Sequence, residues 1–239
     1  MIHPTPEVAL DWERDVSPES GWINPRLGTR FDDRGRFLPE AGNTVVCQVK
    51  PGSATERALT DFRAALSALP EADLFAFTPP ESWHMTVFEG VVETRRDPHH
   101  WPAALDPAAT IDSTTQAMAA RLEGFIPPAP FRMRITAATP FGLTLTGATV
   151  EDEAHARLWR DTLASAFRLH RPGHDAYRFH ITLAYVKRAL PSMALPIWRT
   201  ALQDWTERLQ DAVPMVDLMP SGFCRFADMC AFPPLRMLD

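Results

Sequence analysis

The sequence predicts an α+β fold of two similar lobes facing across a groove, and two observations carry that expectation. Strand-like and helix-like runs alternate as strand, helix, strand, strand, then helix, strand pair, helix, strand, helix, strands. Each half also sets a helix shortly before a strand that contains His-x-Thr. The expected organisation is an extended N-terminal arm over 1–40, packed on the body, followed by a single bilobal domain over 41–239.

The arm is rich in Pro, Asp, Arg and Gly, with turn signals at Asn24-Pro25, Leu27-Gly28 and Asp33-Arg34-Gly35. Its aromatics Trp12, Trp22, Phe31 and Phe37 argue for packing on the body, since disordered tails lack them. Thr44 to Lys50 reads as a strand stopped by Pro51-Gly52. Ser53 then caps a helix whose apolar face is Leu59, Phe62, Leu66 and Leu69, ended by Pro70. Leu74 to Phe77 is a short strand, Pro79-Pro80 a turn, and a longer strand runs through His84 to Val92.

Glu93 to Asp112 is polar and reads as a solvated loop, despite Arg95, Arg96, His99, His100 and Trp101. A helix is expected over Thr114 to Phe125, and a hairpin-like pair over Phe131 to Thr136 and Gly142 to Thr146. Glu151 to Leu169 is the clearest helix, acidic where the helix dipole favours acid. Tyr177 to Lys187 reads as one long strand. The stripe Trp198, Ala201, Leu202, Trp205 and Leu209 marks a helix over 197–212, with its tryptophans in the core. Met215 to Leu218 and Phe223 to Phe232 close the chain as strands.

The chemistry concentrates in two stretches, Trp83-His84-Met85-Thr86-Val87-Phe88 and Phe179-His180-Ile181-Thr182-Leu183-Ala184. On a strand, residues i and i+2 share a face, so His84 projects with Thr86 and His180 with Thr182. By the same alternation Phe88 and Arg178 join those faces as candidate substrate contacts. Histidine serves as acid or base near neutrality, and phosphodiester displacement needs one of each. Hydroxyls at i+2 can donate to non-bridging oxygens as charge builds there. Two chance His-apolar-Ser/Thr-apolar matches are expected in roughly one such chain in fifty.

The repeated His-x-Thr pair resembles the signature of the 2H phosphoesterase superfamily, which includes RNA 2',3'-cyclic phosphodiesterases of the LigT type. The wording at 42–47, 84–90 and 174–185 is similar to a branch known as a domain of unknown function. The resemblance spans roughly 28–232. It implies a bilobal fold of two mainly antiparallel sheets facing a central groove, with helices outside, and metal-independent phosphodiester hydrolysis without a cofactor. It implies His84, Thr86, His180 and Thr182 as the catalytic set and leaves the substrate open.

Composition bounds the partners. A formal charge of −6 disfavours extended nucleic acid and favours a small nucleotide or an RNA terminus. No membrane partner is expected, because no run approaches eighteen apolar residues, and no secretory leader is seen at the N-terminus, so a cytoplasmic location is the default. Three scattered cysteines exclude a disulfide framework. Two other readings stand beside the hydrolase: a groove that binds a phosphorylated ligand without turnover, and, ranked last, a metal hydrolase using His84, His180 and His174. His174-Asp175 is otherwise read as a turn.

Overall fold

The structure, a computed structural model, describes residues 11–16 and 21–238; the rest of the expected arm and Asp239 lie outside the described residues. Among the described residues, five α-helices and two antiparallel sheets form. The strands are β1 (Gly42–Gln48), β2 (Phe75–Phe77), β3 (His84–Val92), β4 (Met133–Thr139), β5 (Gly142–Gly147), β6 (His180–Thr182), β7 (Ala184–Val186), β8 (Gly222–Phe226) and β9 (Pro234–Met237). Seven make one sheet in the order β4-β5-β6-β3-β1-β8-β9, and β2 pairs β7 in a small second sheet. Both histidine strands are therefore neighbours at the centre of the large sheet.

The helices are α1 (Asp11–Val16), α2 (Ala54–Ser67), α3 (Ile111–Ala120), α4 (Val150–Phe167) and α5 (Leu195–Ala212). Ser53 caps α2 by accepting from the Glu56 amide, and Leu59, Phe62 and Leu66 are buried as the periodicity requires. Each of those side chains contributes about 1.5–3 kcal/mol by leaving water. Thr149 and Asp152 form a reciprocal capping box at the start of α4, and Asp152 also accepts from the Arg132 amide, tying the helix to the hairpin. Helices α3 and α4 pack on β1, β3 and β5, while α5 lies along β4 and touches α2. Trp198 and Leu202 of α5 are buried, with the Trp198 ring stacked on Phe75 at 4.8 Å.

Several boundaries differ from expectation for visible reasons. The arm holds a short helix, α1, where little regular structure was expected. The long strand over 177–187 divides at Leu183, because the Phe141 carbonyl accepts from both the Leu183 and Ala184 amides. The chain there leaves the large sheet for the small one. Helix α3 starts at Ile111, three residues early, because Thr110 caps it by accepting from the Ser113 amide. No strand forms over 215–218 beyond a single bridge from Leu218 to Val49, and the strand expected over 223–232 ends at Phe226. The loop over 93–112 is anchored rather than merely solvated. Trp101 is 2% exposed, and the Arg96 guanidinium lies 4.6 Å over its ring while donating to the Pro107 and Ala109 carbonyls.

The arm binds along β7 and beyond. Asn24 donates to the Val186 and Lys187 carbonyls, while the Trp22 and Val16 carbonyls accept from the Ala189 and Leu190 amides. Phe31, fully buried, stacks on Tyr185. The buried Glu40 carboxylate pairs with Arg26 and Arg30 and accepts from the Thr94 hydroxyl. Among the described residues no helix is long and apolar enough to cross a membrane.

Candidate active site

Strands β3 and β6 pair antiparallel with Met85 opposite Ile181. That register puts His84 opposite Thr182 and Thr86 opposite His180, so each motif's imidazole stands beside the other's hydroxyl. Directly opposed side chains start about 5 Å apart and diagonal ones about 7–8 Å, so the two imidazoles sit on a diagonal wide enough for one tetrahedral phosphoryl group. All four line one cavity of about 200 Å³, while Met85 and Ile181 are buried on the other face.

The two histidines are held alike. His84 Nδ1 lies 2.6 Å from the Ser82 carbonyl and His180 Nδ1 lies 2.9 Å from the Arg178 carbonyl. A carbonyl only accepts, so each ring carries its proton on Nδ1 and keeps Nε2 for the cavity. Phe232 packs on the His84 ring with centroids 4.2 Å apart, and Gln48 fixes that loop by donating to the Phe232 carbonyl. Burial, reinforced by the nearby charge of His180, pushes the His84 pKa down to about 4. His84 is thus neutral at neutral pH.

Phe88 does not reach the cavity, which corrects the alternation argument. A β-bulge in β3 sets Thr86 opposite Val46 but Phe88 opposite Val45, leaving Val87 as the extra residue. Beyond the bulge the faces exchange. Phe88 turns inward, 1% exposed, against Phe167, while Glu89 turns into the cavity. Two arginines behind β3 hold this distortion. Arg160, buried, donates to the Val87 carbonyl, and Arg171 donates to the Glu89 and Gly90 carbonyls. Arg178, exposed, lines a second and larger cavity rather than the two-histidine one.

Sequence reasoning missed several walls of the site. Tyr177 lines the cavity, hydrogen-bonds Thr86 through its hydroxyl, and has the Arg160 guanidinium 3.7 Å over its ring. Arg30 and Arg95 line the rim, with Tyr185, Phe226 and Met229. Arg30 came from the arm and Arg95 from the loop read as solvated. Only a contact from 154 residues away in the chain could have singled out Tyr185 as the partner of Phe31, and short-range patterns carry no such signal.

The histidine of His174-Asp175 joins Asp161 of α4, its Nε2 2.8 Å from Asp161 Oδ1. Among the described residues, Asp161, His174 and Asp175 are the one group with metal-ligand spacing. They lie beside Phe88, behind β3, so His174 does not meet His84 and His180 in the groove.

An antiparallel α+β sheet carrying paired His-x-Thr strands defines the class of the molecule. A family model described as 2H-phosphodiest, domain of unknown function (DUF1868), matches residues 30–166. The chain belongs to this family, an uncharacterised branch of the 2H phosphoesterase superfamily. A solved structure, a conserved protein of unknown function from Agrobacterium tumefaciens, is 41% identical, with a TM-score of 0.94 over 96% of this chain and 99% of that one. No curated protein matches the chain.

Proposed function

We propose that the protein is a metal-independent phosphodiesterase that hydrolyses a 2',3'-cyclic or related small phosphodiester by two-histidine acid and base catalysis. The observation that supports this reading is the two-by-two array of His84, Thr182, Thr86 and His180, with both Nε2 atoms turned to one cavity. His84, neutral, takes the proton of the attacking water through Nε2. A phosphorus–oxygen bond then breaks, and His180, entering protonated, gives its Nε2 proton to the leaving oxygen. Thr86 and Thr182 donate to the non-bridging oxygens as their charge grows.

Charge supports an anionic substrate of limited length. The chain carries a formal charge of −6, yet Arg30 and Arg95 face the cavity with Glu89 as the opposing carboxylate. A locally basic pocket in an acidic molecule draws in a small anion or a chain terminus and repels extended nucleic acid or an anionic membrane.

The deciding experiment is turnover of a panel of 2',3'-cyclic nucleotides in EDTA. We expect wild type to turn over, and His84→Ala and His180→Ala each to lose at least about 10²-fold in kcat. Turnover that survives either substitution overturns the mechanism. Calorimetric binding of a cyclic nucleotide with no product formed identifies a binding module instead.

A further inference from the structure

The two-histidine cavity is not alone on its face of the sheet. A cavity of about 530 Å³ adjoins it, and His180, Thr182 and Tyr185 line both. Its floor is the β4–β5 hairpin, with Thr136, Ala137 and Thr144 on the same face as His180, since Thr144 pairs His180 and Ala137 pairs Thr144. Its walls include Phe141 and, from the arm, Trp12 and Asp15 of α1. Small-molecule sites occupy about 300–1,000 Å³ and are mainly apolar with a few placed polar groups. The 200 Å³ cavity is below that range and the 530 Å³ cavity is inside it.

We infer that α1 and the β4–β5 hairpin form a second binding chamber for the limb of the substrate joined to the oxygen that His180 protonates, and that this limb is large and mainly apolar, an aromatic ring system. This rests on the two-histidine reading and extends it. His180 is the motif histidine common to both cavities, so the acid stands at the doorway between phosphorus and limb. The water attacks from the His84 side, away from the chamber. Trp12, 6% exposed and placed at the chamber wall, offers an aromatic face. The hydroxyls of Thr136 and Thr144, bonded to each other at 2.8 Å, give a polar but uncharged floor. Helix α1 brings this wall from the arm.

The test compares kcat/KM for adenosine 2',3'-cyclic phosphate, which carries a ring system, with glycerol 1,2-cyclic phosphate, which carries the same strained diester without one. Wild type is expected to favour the first by at least tenfold, and Ala137→Trp, which fills the chamber, to cut that ratio at least tenfold. Trp12→Ala, which opens the chamber wall, is expected to lower the ratio as well, and circular dichroism of both variants confirms their fold. A ratio near one in wild type, or a ratio that neither variant changes, overturns the chamber while leaving the two-histidine reading intact. Wild-type failure on both substrates overturns both.

Discussion

Each motif imidazole takes its orientation from a peptide group two residues before it, and the consequences are sharp at that scale. With Nδ1–H given to a backbone carbonyl, neither ring needs a carboxylate to hold its tautomer. In the proposed mechanism His84 acts as base in its neutral form, which burial favours, so the acid limb of kcat/KM is expected near pH 4 rather than near 6.5. The base is competent above that pKa and activity is lost as pH falls through it, while the need for a protonated His180 imposes a separate alkaline limb. An alkaline limb near pH 4 would exchange the roles of the two histidines, and a pH–rate profile of the free enzyme reads the sign directly. Thr86 shares a hydrogen bond with the Tyr177 hydroxyl, which aims it at the cavity. Thr86→Val is expected to lower kcat about 10²-fold with a smaller change in KM, measured at saturating substrate.

At the scale of elements, the bulge in β3 decides which side chains the substrate meets. Val87 interrupts the alternation between Thr86 and Glu89, and Arg160 occupies its spare carbonyl. Arg160→Met leaves that buried acceptor unpaired, which costs about 1–3 kcal/mol. We expect a lower urea midpoint and a fall in kcat/KM of about tenfold, because Thr86 and Glu89 flank the distortion. An unchanged midpoint would mean that β3 keeps its bulge without the arginine. The same element shows where sequence reading succeeds and stops. The His-x-Thr pairs, the caps at Ser53 and the apolar faces of α2 and α5 follow from spacings of two to four residues, and these were legible. The bulge was not, because the group that meets its spare carbonyl, Arg160, lies 73 positions beyond Val87. Leu183 likewise looked like mid-strand, and only the Phe141 carbonyl, brought alongside by the hairpin, breaks the strand there.

For the whole molecule, the arm is part of the site. It supplies Arg30 to the two-histidine cavity and Trp12 to its neighbour, and it buries Phe31 against Tyr185. Removing residues 1–40 also strips the Glu40 carboxylate that joins Arg26, Arg30 and Thr94. We expect the truncated protein to unfold at lower temperature and to lose turnover, with calorimetry and the cyclic-nucleotide assay run on the same preparation. Aromatic content alone announced that the arm packs on the body. Its position over the groove depends on contacts with β7, more than 150 residues away, and on charge pairs that composition does not reveal.

The division at Leu183 ties these scales together. Thr182 stands in the groove, and two residues later, at Ala184, the chain enters the ladder with β2; the chain from the end of β7, Val186 to Arg188, holds the arm. Amide protons of β6, β7 and the arm segment at Trp22 and Asn24 should therefore exchange with solvent as a single protected group, and a protease that clips the arm should abolish the proposed turnover at the rate at which that group opens.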